Sequence, residues 1–166
     1  MRWRWLERTL IRYNLAFTVG DPRPLTEAES LAAIEVFGGA LALDPIRIVP
    51  ASILNAPAAL GNVIRIPPEY EMDAATLIHE LAHVWQYQTR GTAYISDSVW
   101  HQFLAIVSTG TRAEAYRLTR DDLAAPSIHD LPAEKQAVII ERWSLGGLFR
   151  CNPNYRRFLA EVRNIE

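Results

Sequence analysis

Two histidines and a glutamate, His79, Glu80 and His83, form the pattern His-Glu-x-x-His near the middle of the chain. Residues four positions apart on an α-helix lie about 40° apart around its axis and one turn above each other. Both imidazoles can therefore converge on one zinc ion, while Glu80 reaches a water molecule that the metal activates. Zinc lowers the pKa of such a water toward neutrality, and the glutamate takes its proton as the water attacks a carbonyl. The spacing predicts a zinc-dependent hydrolase with His79 and His83 as metal ligands and Glu80 as general base.

The residues around the motif predict the helix that this chemistry requires. Asp73 is a suitable N-cap, and Gly91 is a suitable stop about seventeen residues later. Apolar residues surround the predicted helix on nearly every side, which is typical of a central, buried helix. The alternative is a surface helix with two incidental histidines. It is disfavoured, because a buried helix does not carry three titratable groups without a use for them.

The third metal ligand has three candidates, Glu134, Glu114 and Glu141. Gluzincins take this ligand from a glutamate on a downstream helix. Metzincins instead require a further histidine shortly after the motif, where this chain reads Val-Trp-Gln-Tyr-Gln-Thr. Glu134 is favoured, because it lies in the first turn of a predicted helix on the same face as Ala137 and Val138, and this small apolar face suits close packing. For each candidate the ordinary alternative is a solvated glutamate on a helix surface.

Other polar side chains are candidates for an auxiliary role. His129 lies in the loop before the Glu134 helix and is our candidate for stabilising the oxyanion. Tyr87 and Tyr116 are similar candidates, although packing is the simpler role for both. His101 follows Trp100 on a predicted helix and is interpreted as a structural residue.

The remaining elements predict a mostly helical α+β fold with a minor β-sheet around the central HExxH helix. Thr26 and Glu29 form a capping box that opens a helix ended by Gly38. Alternating apolar and polar residues followed by proline predict two short strands at 46–49 and 62–66. Further predicted elements are a helix from Ser96 to Gly110, a short helix around Glu114 with a loop to 130, a helix from Pro132 to Gly146, and a last one opened by Asn152 and Pro153. No linker or repeat interrupts the sequence, so residues 1–166 are expected to form a single domain.

Net charge, apolar runs and cysteine content limit which partners and which cellular location are expected. A net charge of -2 argues against a general nucleic-acid binder. The sequence contains no run of about 18 apolar residues, so no membrane-spanning helix is predicted. Cys151 is the only cysteine, which rules out an intrachain disulfide or a Cys-x-x-Cys metal pair. Arg8 and Arg12 interrupt the N-terminal apolar residues, so a secretory signal is not expected. We therefore expect a cytoplasmic protein, or one exported by a secretion system that needs no signal peptide.

The stretch Ile-His-Glu-Leu-Ala-His-Val-Trp-Gln-Tyr-Gln at 78–88, with Glu-Lys-Gln-Ala at 134–137, resembles the Vgr-related proteins of bacteria. These are small zincin-like domains associated with type VI secretion or similar injection machinery, and the likeness covers residues 25–147. It implies a zincin-like fold, zinc held by His79, His83 and Glu134, and Glu80 as base. It also implies a peptide or protein substrate and a secretion-system component as partner. The family tends to carry an acid four positions after the glutamate ligand, where an acid can orient a ligand histidine, and this chain has Val138 there.

Three functions are consistent with these patterns. The first is a zinc metallopeptidase, and the second is a zinc hydrolase of cell-wall amide bonds. The third is a catalytically degenerate zincin that keeps the metal as a structural or docking module of a secretion system. Glu80 favours an enzyme, because a purely structural site has no use for an unliganded base. The small size of the chain leaves little room for a deep substrate cleft and favours the docking module.

Overall fold

The structure is a computed structural model that describes residues 19–51, 56–91 and 116–164. Its elements in chain order are α1 (Glu27–Phe37), β1 (Arg47–Pro50), β2 (Ala58–Leu60), β3 (Val63–Ile66), α2 (Ala74–Arg90), α3 (Arg120–Ala124), a 3₁₀ turn (Ile128–Asp130), α4 (Ala133–Ser144), α5 (Gly147–Cys151) and α6 (Pro153–Val162). The described chain is α+β and mostly helical, with one small sheet, which confirms the coarse fold class predicted from the sequence.

Helix α2 carries the HExxH motif and has the predicted bounds. The side chain of Asp73 accepts a hydrogen bond from the N–H of Thr76 at 2.7 Å. At the other end Gly91 adopts a φ of 65°, and its N–H donates to the carbonyl of Tyr87 at 2.8 Å. Between these caps, nine residues in the middle of the helix are buried, and they point in every direction around its axis. The prediction of a capped, central helix is confirmed.

The sheet places its middle strand, β3, between parallel β1 and antiparallel β2. Pro50 is the last residue of β1 and Pro67 follows β3, so both predicted strands are confirmed to within a residue at each end. Strand β2 has no signature in the sequence, because three residues are too few to show alternation. It joins β3 through a tight turn at Gly61, whose φ of 65° lies in the left-handed region that glycine adopts without strain.

Helix α4 packs along α2 and belongs to the same cluster of buried apolar side chains as α1, the sheet and α6. Ala133 and Ala137 are almost fully buried on its inner face. Small side chains at these positions let two helix backbones approach closely. The first turn of α4, which contains Glu134, is thereby held against the histidines of α2.

The segment before α4 differs from the prediction. In place of a plain loop the described residues form α3, capped by Thr119, and a 3₁₀ turn capped by Ser127. The predicted helix from Ser96 to Gly110, with His101, and the ligand candidate Glu114 lie outside the described residues. Within the described ranges, no helix combines the length and apolar character needed to cross a membrane.

Glu29 gives the fold a pH-dependent contribution to stability. Bidentate hydrogen bonds from Arg23, at 2.7 and 2.8 Å, and one from the N–H of Thr26 lower the pKa of Glu29 from 4.5 to about 2, against the opposing effect of burial. A carboxyl whose pKa is depressed on folding stabilises the protein above its unfolded pKa, and this contribution is lost as the pH falls through the folded pKa.

We therefore expect Glu29→Gln to lower the free energy of unfolding by about 1–2 kcal/mol at neutral pH, a value reduced for the exposure of Arg23. The difference from wild type should shrink as the pH falls from 4.5 toward about 2. Denaturant unfolding across the pH range in which the protein stays folded measures it. Glu27→Gln, in the same helical turn but outside the capping box, is the control. A loss that is independent of pH, or equal in both variants, would contradict the prediction.

Candidate metal centre

Helices α2 and α4 bring three predicted ligands, His79, His83 and Glu134, together. Their ligand atoms all lie within 4.8 Å of one another, and no other group of this kind is found among the described residues. Oε2 of Glu134 lies 3.5 Å from Nε2 of His79 and 3.3 Å from Nε2 of His83. The Glu134 side chain is only 3% exposed. Of the candidates for the third ligand within the described residues, Glu134 is the one that joins the two histidines.

The spacing of these three atoms suits a metal ion better than direct hydrogen bonds. A charge-assisted N–H···O bond is about 2.7–2.9 Å long, shorter than either distance from Glu134. Ligand atoms placed about 2.0–2.2 Å from a tetrahedral ion lie about 3.3–3.6 Å from each other, and both distances fall in that range. The His79 and His83 rings are nearly perpendicular, with an interplanar angle of 76° and centroids 5.1 Å apart. The residues present therefore fit a small tetrahedral cation.

Glu141, also a candidate for the third ligand, does not belong to this group of three side chains. Its Oε2 lies 2.9 Å from Nδ1 of His79, so it contacts the nitrogen that faces away from Glu134. Glu141 follows Glu134 by seven residues, about two helical turns, and therefore lies on the same face of α4. A carboxylate on the outer nitrogen of a ligand histidine orients the ring and increases its basicity. Glu141 supplies this contact, whereas Val138, four residues after Glu134, has no carboxylate with which to make it.

Gln86 makes the corresponding contact with His83, and the sequence interpretation missed it. Its Oε1 lies 2.9 Å from Nδ1 of His83. The available signal was an amide three residues after a ligand histidine, inside an apolar stretch of the helix. Such a side chain is buried and must find hydrogen-bond partners. With both Nδ1 atoms occupied in this way, both Nε2 atoms are directed at Glu134.

Glu80 lies beside this group without belonging to it. Glu80 is 6% exposed, and its carboxylate accepts a hydrogen bond from the backbone N–H of Ala59 on β2. Its Oε2 has no hydrogen-bond partner among the described residues. Burial raises the pKa of Glu80, although the charges of His83 and His79 and the Ala59 hydrogen bond act in the opposite direction. Glu80 is thus a buried carboxylate with one oxygen available to accept a proton.

The acidic groups also change how readily the histidines lose a proton. Burial is the largest single influence and lowers the pKa of His79, but the carboxylates of Glu134 and Glu141, which accept from its ring, and the charge of Glu80 together outweigh it and raise the pKa to about 9. Burial is also the largest single influence on His83 and lowers its pKa, but the nearby carboxylates of Glu134 and Glu80 together outweigh it, so the pKa of His83 is raised. A cation that binds at the Nε2 atoms near neutral pH must therefore displace protons, as is usual when a metal binds histidine.

The three candidates for an auxiliary role that the structure describes, His129, Tyr87 and Tyr116, lie at different distances from the candidate ligands. The ring of His129 stacks on Trp85, with centroids 5.6 Å apart. Trp85 is two residues after His83 and hence about 200° around the helix, on its far side. Tyr87 packs over the turn at Gly61. Of these three described rings, only that of Tyr116 adjoins a candidate ligand, with its centroid 6.0 Å from that of His79. The oxyanion role predicted for His129 is therefore not supported by its position.

Comparisons of the chain with protein-family models, with curated proteins and with solved structures gave no match. The chemistry of the site must accordingly be judged from its own residues. They provide two imidazole nitrogens and one carboxylate oxygen for a cation, with a buried carboxylate, Glu80, at its side.

Proposed function

We propose that the chain is a zinc-dependent hydrolase of the gluzincin type, with a zincin-like fold, that cleaves peptide bonds. One observation carries this proposal: His79, His83 and Glu134 converge next to a buried carboxylate, Glu80, that is not a member of the ligand group. Structural zinc sites are closed by four protein ligands, whereas catalytic sites use three and keep one position for water or substrate. Three ligands beside an unliganded carboxylate are the set that a hydrolase needs.

The donor set supports zinc as the metal. Two histidines and one glutamate are the ligands of a recognised class of catalytic zinc site. The separations of 3.3 and 3.5 Å between Glu134 and the two Nε2 atoms suit the tetrahedral coordination that zinc prefers. When bound, zinc would lower the pKa of a coordinated water and polarise the carbonyl of the substrate.

Glu80 would move the proton in this reaction. Its carboxylate would accept a proton from the attacking water and later deliver it to the leaving amine. Burial raises its pKa from the ordinary value, which brings it closer to neutral pH, where a general base is most effective. The N–H of Ala59 would hold one carboxylate oxygen, leaving Oε2 for the proton.

Peptides are the first substrate class to test, and cell-wall amides are the second, because both contain the bond that this chemistry cleaves. The test is to incubate the zinc-loaded chain with a broad peptide library and with peptidoglycan fragments. We expect cleavage in one of these screens, its loss on chelation and its return with added zinc. No cleavage by zinc-loaded protein in either screen would favour the structural or docking function instead.

The proposal assigns different roles to the two glutamates of α4. We expect Glu134→Ala to weaken zinc affinity by more than about 100-fold, because a ligand is lost, and Glu141→Ala to weaken it by about 10–100-fold, because only the orientation of His79 is lost. Competition with a chromophoric chelator measures both. The two positions are on the same helix face, and each variant removes the same carboxylate. A larger effect of Glu141→Ala would show that the assignment of the third ligand is wrong.

A further inference from the structure

Two buried glutamines, Gln86 on α2 and Gln136 on α4, form a hydrogen-bonded chain behind His83, and neither is exposed to solvent. Oε1 of Gln86 contacts Nδ1 of His83, while its Nε2 donates to the carbonyl of Ala133 at 2.9 Å and to Oε1 of Gln136 at 3.2 Å. Nε2 of Gln136 donates in turn to the carbonyl of Leu131 at 2.7 Å. This series of hydrogen bonds thus connects His83, a candidate metal ligand, to two backbone carbonyls at the start of α4.

The two carbonyls fix the direction of every hydrogen bond in this chain, because a backbone carbonyl only accepts. Gln136 must turn its NH₂ group toward Leu131, so its oxygen faces Gln86. Gln86 must turn its NH₂ group toward Ala133, so its oxygen faces His83. If either amide were reversed, its oxygen would face a backbone carbonyl oxygen in a buried site. Each polar group left unpaired in this way costs about 1–3 kcal/mol.

This direction determines which nitrogen of His83 carries the hydrogen. An amide oxygen cannot donate, so Nδ1 of His83 must carry the hydrogen for the contact with Gln86 to form, and a neutral ring that makes this contact keeps its lone pair on Nε2. Nε2 is the atom that lies 3.3 Å from Oε2 of Glu134. The form of the ring that can bind a metal is therefore selected by groups that do not touch the metal.

The same hydrogen bonds link the two helices that carry the candidate ligands His83 and Glu134. Ala133, which accepts from Gln86, immediately precedes Glu134 in the first turn of α4. His83 and Gln86 lie three residues apart on α2. A displacement of the start of α4 would move Glu134 away from His83 and would break the hydrogen bond from Gln86.

We infer that Gln86 and Gln136 are positioning residues that fix the tautomer of His83 and the approach of Glu134 before a metal binds. Their expected effect on affinity rests on the proposed zinc site, whereas their effect on the tautomer does not. They also distinguish the two histidines: His83 is held by a neutral, fully buried amide, and His79 by Glu141, a carboxylate that is 31% exposed.

The experiment compares wild type with Gln86→Met, Gln136→Met and the control Gln88→Met. Gln88 is two residues after Gln86 and also bonds through its amide, accepting from the N–H of Ala42 at 2.8 Å and donating to its carbonyl at 2.9 Å. Among the described residues, it has no hydrogen bond to a histidine. Zinc affinity is measured by chelator competition. The tautomer is measured in zinc-free protein from the ring ¹⁵N shifts, at an alkaline pH where the rings are neutral. The His83 signals are assigned by their loss in His83→Ala.

We expect an Nδ1–H ring for His83 in wild type, and loss of this preference in Gln86→Met. Zinc affinity should fall by about 10–100-fold in Gln86→Met, less in Gln136→Met, and remain within about twofold of wild type in Gln88→Met. An Nε2–H ring for His83 in wild type would overturn the inference, whether or not the variants fold. Unchanged affinity in folded Gln86→Met would overturn it while leaving the zinc site intact. Absence of zinc binding by wild type would contradict the proposed function. The inference would still be tested by the tautomer of His83 in zinc-free protein.

Discussion

Replacing both His79 and His83 with alanine is expected to abolish zinc binding, while wild type binds about one zinc ion per chain. Structural zinc sites in zinc-finger peptides bind with an apparent free energy of about 10–16 kcal/mol at neutral pH, and loss of two of three ligands should weaken binding here by about 10⁴-fold or more. Both imidazoles direct Nε2 at Glu134, and both outer nitrogens already have partners in Glu141 and Gln86.

His129→Ala is the matched control for this experiment. It removes a third imidazole, but this ring is exposed and stacks on Trp85, on the far side of α2 from the ligands. Elemental analysis after incubation with zinc and removal of excess metal gives the stoichiometry of all three proteins. Absence of zinc in wild type, or equal loss in His129→Ala and in the double variant, would exclude the proposed metal site.

The sequence was most informative where strong local signals agree. Asp73, the apolar residues around the motif and Gly91 each mark helix α2 independently, and its observed bounds follow them. The same is true of α1, where Thr26 and Glu29 form the predicted capping box. Signals of this kind depend on residues within one helical turn, so they can be recognised without knowledge of the tertiary structure.

Contacts between distant elements could be predicted only in part. Glu134 was one of three candidates, and the choice depends on how α4 lies along α2, which a pattern of burial does not determine. Glu141 was considered as a ligand because a carboxylate looks the same in sequence whether it faces a metal or the outer nitrogen of His79. The contact of Ala59 with Glu80 requires β2, a strand too short to leave a signature. The position of His129 depends on the 3₁₀ turn before α4, which replaced the predicted loop.

Glu80→Gln is the variant that separates an enzyme from a docking module. Glutamine keeps the size of the side chain and can still accept the hydrogen bond from Ala59, but it cannot take a proton from water. Because Glu80 is not one of the three ligands, we expect the variant to bind zinc as wild type does. Hydrolysis should fall by about 100-fold or more, the effect expected of a positioned general base.

Glu35→Gln is a suitable control, because it makes the same chemical change at an exposed glutamate that pairs with Arg150 on the surface. Cleavage of whichever peptide or peptidoglycan fragment wild type hydrolyses is compared at equal zinc occupancy. Undiminished cleavage by Glu80→Gln would show that another group acts as the base. A wild type that binds zinc but cleaves nothing, with Glu80→Gln equally folded and equally able to bind zinc, would instead assign the metal a structural role. The comparison is decisive because, of the two buried acids among the described residues, Glu80 is the one that metal binding alone does not require.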